Sequence, residues 1–249
     1  MAKHYDVRIS ERIVKNRMRC SFIPESAHEV AEIVKALPNI PRVTADRVMR
    51  ELHQKMVEDL GFMSAKNIGE IVFDYDHLWV EFIGDKKEDP VVPPRAGVYL
   101  KKMKPEEVTQ DSPLASMLTD NLAYFIIGHV VIVAPNVPQM HDPVATVRGY
   151  MFDPFRIIIP VYKKEDGSFF ANDFSVESLV NDEISQQLIQ EVMLSSSRIV
   201  CLALYVTREV AQDRMKATIV EPTPKFVKIM ANKNPEPAAL MPHYVIVKD

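Results

Sequence analysis

The sequence predicts an α+β fold: an N-terminal helical unit with a β-hairpin, then a larger mixed β-sheet covered by helices. Three observations predict it. The chain has 249 residues, 47% hydrophobic and 26% charged, an ordinary globular balance with enough length for a large core. Helix-period apolar stripes with start signals lie near the N-terminus, whereas later segments are continuous apolar runs. Only seven glycines stand against 18 prolines, so turns fall to Pro, Asn and Asp.

In chain order, Ser26 and Glu29 form a capping box before Ala27, Val30, Val34 and Leu37, a helix that Pro38 helps to end. Thr44 is placed to cap a second helix carrying Val48, Leu52, Met56 and Leu60, with Gly61 as its stop. Met49 and Met56 share that helical spacing and read as core. Glu70–Phe73 and Leu78–Ile83 read as a hairpin around Asp74-Tyr75-Asp76-His77. The charged, proline-rich stretch 85–97 is the expected boundary between units 1–85 and 96–231.

Beyond it, Ser112 and Pro113 suit the N-cap and first turn of a helix with Leu114, Met117, Leu118 and Phe125 inward and Gly128 at its end. His129–Ala134 reads as a buried strand. Phe155–Tyr162 and Phe169–Phe170 read as a hairpin through Asp166-Gly167, and Pro160 argues for a sheet edge or bulge. Ser175 is expected to start a helix with Val176, Val180, Ile184, Leu188 and Val192 inward. Ile199–Val206, unbroken and apolar, is expected as a central strand. Residues 232–249 read as a linker followed by a last strand at His243–Val247.

Several function classes are excluded by composition. The glycines are never closer than eight positions, so no dinucleotide fingerprint, P-loop or nucleophile elbow can form. No Cys-x-x-Cys, His-x-His or His-x-x-x-His occurs, so no metal or other cofactor is expected. Cys20 and Cys201 sit among apolar residues and read as two buried free thiols in a reducing compartment, which makes the expected location cytoplasmic. The longest apolar run, Leu122–Ala134, falls short of the ~20 residues that cross a bilayer, and the N-terminus lacks a signal-peptide core. No membrane partner is expected.

Candidate chemistry is sparse. Asp74, Asp76, His77 and Glu81 are ligand types for a hard cation, though Asx residues favour turns for their own sake. His129 opens an apolar strand and reads chiefly as a core histidine, with acid–base chemistry as the sharper alternative. His141-Asp142 has the two partners of a nucleophilic triad but no local signature for its serine or cysteine. The strongest feature is the basic N-terminus. Lys3, Arg8, Arg12, Lys15, Arg17 and Arg19 face only Asp6 and Glu11, in a chain whose net charge is −4. Arg8, Arg12, Lys15 and Arg19 form one stripe if helical. As strands, Lys15, Arg17 and Arg19 alternate with Val14, Met18 and Cys20.

The expected function is therefore a non-enzymatic macromolecular binding protein, whose basic face between Arg8 and Arg19 meets RNA or single-stranded DNA. Three alternatives stand beside it. One is an oligomeric structural or inhibitory protein docking onto a protein partner. Another is a winged-helix-like regulator, with Arg47, Arg50 and Gln54 on the reading helix. The last is an enzyme whose site is assembled from distant segments around His129 or Asp74 and Asp76.

Overall fold

A computed structural model describes residues 32–33, 36–37, 40–60, 68–83, 95–133, 146–147, 150–178, 186–220 and 243–246. It is a mixed fold, a curled and largely antiparallel sheet with two long helices. In chain order these are β1 (Arg42–Val48), α1 (Met49–Leu60), β2 (Gly69–Glu70), β3 (His77–Ile83), β4 (Arg95–Met103), β5 (Leu122–Val133), β6 (Thr146–Val147), β7 (Tyr150–Lys163), β8 (Phe169–Ala171), β9 (Ser175–Ser178), α2 (Gln186–Ala211), β10 (Ala217–Val220) and β11 (His243–Ile246). The strand order is β10-β11-β1-β3-β4-β5-β7-β8-β2, with β6 and β9 pairing on β7. From β3 to β2 every pairing is antiparallel. β1 lies parallel to both β3 and β11.

The sheet's first face and α2 make the main core. Leu78, Val80 and Phe82 of β3, Ala96, Val98 and Leu100 of β4, and Ile126 and Val130 of β5 meet Ile199–Val206 of α2. Gly128 permits the close approach, because a Cβ there would lie 2.9 Å from a Val200 methyl. On the other face Leu114, Leu122, Phe125, Ile127 and Ile158 form a smaller cluster beneath a 3-10 turn at Pro113–Met117.

Six sequence expectations are corrected here. Thr44 lies inside β1, and the helix begins at Met49. Residues 70–83 are not a hairpin. β2 pairs with β8, and β3 pairs with β1 and β4. The Ser112 cap forms, its hydroxyl accepting from the Leu114 N–H at 3.2 Å, but the helix it starts lasts one 3-10 turn. Leu122–Val133 is a single strand, because its aromatic and β-branched side chains from Tyr124 to Val131 are buried on both faces of the sheet. Ser175–Ser178 is strand β9 rather than a helix start. Ile199–Val206 is helical: from Ser196 to Glu209 every side chain but Arg198 is buried, so the segment has no polar face to betray its period.

Other expectations hold. The Phe155–Phe170 hairpin forms, with Tyr162 opposite Phe170, Lys163 opposite Phe169 and Gly167 in the left-handed region at φ 85°. Pro160 sits where β7 passes from β9, which pairs with it through Ile158, to β8, which takes over at Tyr162. A residue without an N–H suits that gap. Met56 is buried, and β11 supplies the expected last strand. The sheet also runs across both expected divisions of the chain. β3 and β4 pair at seven positions on either side of residues 84–94, and β11 lies between β10 and β1. Among the described residues no helix is long and apolar enough to cross a membrane.

Candidate functional site

The polar groups that gather in this fold lie on the sheet face turned away from α2. Leu78 and Val80 pack toward the helix, so strand alternation sends Trp79 and Glu81 to the opposite side. Register then builds a row across five strands: Trp79 opposite Tyr99, Tyr99 opposite His129, His129 opposite Arg156 and Arg156 opposite Glu177. Trp79 and Glu81 are buried, and the indole N–H donates to Glu81 Oε2 at 3.2 Å. The indole ring lies over Gly97, where a Cβ would come within 2.2 Å of its Cζ2. At the far end Arg156 and Glu177 are partly exposed and joined twice, through Nε at 2.8 Å and Nη2 at 2.7 Å.

Tyr99 joins the two histidines of the row's margin and centre. Its hydroxyl lies 2.8 Å from Nδ1 of half-buried His77, and its ring centroid lies 6.2 Å from that of His129. Burial, followed by the Glu32 carboxylate, pushes the phenol up to about 12. Burial, followed by the cations of Arg156 and Lys101, pushes the His129 imidazole down to about 3. His77 is lowered too, by burial and then Lys101, against the opposing pull of Asp76 and Glu107. At neutral pH Tyr99 and His129 are thus an uncharged phenol and an uncharged imidazole, and His129 is only 6% exposed. Such groups can organise hydrogen bonds inside the sheet.

No family model, no curated protein and no solved structure matches the chain, so its function must be argued from its own residues. Some of the residues singled out in the sequence fall among the described residues. Asp74 and Asp76 are exposed on the segment before β3, while Glu81 is buried within it. Among the described residues no three His, Cys, Asp or Glu side chains are arranged to hold a metal ion. Arg47 lies in β1, whereas Arg50 lies in the first turn of α1. Exposed Gln54 donates to Glu58 at 2.9 Å along the same helix. Arg8, Arg12, Lys15, Arg17, Arg19, Cys20, His141 and Asp142 lie outside the described residues.

Sequence reasoning missed a second polar cluster, at the C-terminal end of α2. Glu209 is buried and accepts from Arg208 Nε and Nη2 at 3.1 and 3.0 Å and from Arg214 Nη2 at 2.8 Å. The Arg208 guanidinium lies over the Tyr205 ring, and the Tyr205 hydroxyl donates to Asp59 of α1. A buried carboxylate between two guanidiniums is stable only with such pairing, and its role here is to tie helix α2 to the turn that follows. The only sequence signal was charge, Arg208-Glu209 and Arg214, immediately after an apolar run.

Proposed function

We propose that the protein is a non-enzymatic macromolecular binding protein that contacts single-stranded RNA or DNA through the basic face between Arg8 and Arg19. The observation that carries this reading is the charge of the first twenty residues: six cations against two anions, in a chain that is otherwise acidic. Cations brought into line release counterions when they meet phosphates, which supplies affinity without sequence readout. The burial of His129, Trp79 and Glu81 supports the reading from the other side. In this reading Trp79, Glu81 and His129 are groups of the scaffold, and the basic segment is the proposed contact.

The test is fluorescence anisotropy with a labelled oligo(U) and an oligo(dT), titrated with salt. The unchanged chain should bind with an affinity that falls linearly in log salt. Replacing Arg8, Arg12, Lys15, Arg17 and Arg19 by Ala should flatten that slope by up to about 3.5 units, at roughly 0.7 per single-strand phosphate lost. Absent binding near physiological salt, or binding that these substitutions leave unchanged, sinks the nucleic-acid reading. One stoichiometric protein partner recovered without nucleic-acid absorbance would instead favour docking onto a protein.

A further inference from the structure

At the margin of the main core, the ammonium of Lys102 is held by aromatic rings. Its Nζ lies 4.7 Å from the centroid of Tyr124 and 5.8 Å from that of Phe73. Both rings are buried, and each is braced by a half-buried neighbour. Tyr75 meets Phe73 edge-on at 5.9 Å, and Phe169 meets Tyr124 at 5.5 Å. Exposed Asp74 stands at the rim, near enough that its charge joins burial in raising the Tyr124 phenol. The strand is pinned beside this segment, because the Lys102 N–H donates to the Asp76 carbonyl at 2.8 Å. Among the described residues no carboxylate lies within ion-pair distance of the Lys102 ammonium. Ring faces and a nearby acid, rather than a direct ion pair, form its surroundings.

We propose that Phe73, Tyr75 and Tyr124, with Asp74 at the rim, form a binding site for a quaternary ammonium group, which Lys102 occupies when no ligand is bound. The chemistry favours exchange in that direction. A primary ammonium is strongly hydrated and keeps much of its attraction for water, whereas a methylated ammonium is weakly hydrated and gains more from ring faces. Lys102 is half-buried on a flexible four-carbon stem, so its head can leave for solvent without moving β4. The rings cannot leave, because Phe73 and Tyr124 belong to the core. The ligand class is a trimethylammonium head, whether on a small molecule or on a modified lysine side chain.

The probe is tetramethylammonium chloride, whose methyl proton resonance moves upfield when it enters a ring-current site; equal sodium chloride is the control. The decisive variant is Lys102→Met, which keeps the stem and removes the competing charge. It should give saturable upfield shifts at an affinity roughly tenfold above that of the unchanged chain. Asp74→Asn, at an exposed position where folding is insensitive, should weaken Lys102→Met several-fold, and Tyr124→Leu should abolish its binding. A Lys102→Met response that never saturates, or one that Asp74→Asn leaves unchanged, overturns the site. The outcome is independent of nucleic-acid binding, since none of these residues belongs to the basic N-terminal face.

Discussion

His129 shows how one buried side chain sets a pH dependence. Its folded pKa, about 3, lies well below the ordinary 6.5, so the unfolded chain binds a proton in a range where the folded chain does not. Its contribution to stability is therefore complete above pH 6.5 and is lost as pH falls toward 3, at up to about 1.4 kcal/mol per pH unit. His53 and His77 are lowered as well and act with the same sign. Urea unfolding at pH 7, 6, 5 and 4 should show the loss, and His129→Leu should have a shallower dependence whatever its absolute stability. Cys201 illustrates the same desolvation on a thiol: burial pushes it up to about 12, so it stays protonated and unreactive. In a Cys20→Ser background, a thiol reagent should leave the folded protein untouched and label Cys201 only in denaturant. The burial of both residues was legible from their apolar neighbours. The row that surrounds His129 was not, because Trp79, Tyr99, Arg156 and Glu177 come from four other strands whose register no local pattern specifies.

Elements were legible where local chemistry alone decides them. Asp166-Gly167 encodes its turn through an Asp166 carboxylate that accepts from the Ser168 N–H at 2.9 Å and a glycine at positive φ. Gly167→Ala meets no neighbour but must hold the left-handed conformation, so thermal unfolding should report a loss of about 1–2 kcal/mol. Gly97→Ala fails for the opposite reason. Its backbone is unremarkable, but the added methyl would drive into the buried Trp79 ring, and the same measurement should report about 1–3 kcal/mol. Periodicity misled wherever both sides of an element are covered. Ile199–Val206 is apolar all round because that stretch of the helix is buried all round, and nothing in eight apolar residues separates that from a central strand. Ser112 raised the reverse problem: the cap is real, yet Leu122–Val133 belongs to the sheet, whose long-range pairing outweighs a start signal for a helix.

At the scale of the molecule, what decides the architecture is which distant segments pair. A proline-rich stretch reads as a boundary in sequence, yet the strands on its two sides share seven register positions and one core. Leu78, Val80 and Phe82 before the stretch pack in the same cluster as Ala96, Val98 and Leu100 after it. Residues 1–85 alone would lose the β4 partner of β3 and the α2 side of the core. Residues 96–249 alone would leave β4 and β11 with unpaired edges, since among the described residues β11 and its neighbour β10 reach the rest of the sheet only through β1. Neither fragment should therefore fold by itself. Amide proton spectra of each should lack native dispersion, and urea titrations should show no cooperative transition. Mixing the two at equal concentration should restore dispersion if the β3–β4 ladder and the core beneath it are the link. A fragment 1–85 that is cooperative and well dispersed alone would instead make the proline-rich stretch a true domain boundary, and would free the basic N-terminus to act as an independent unit.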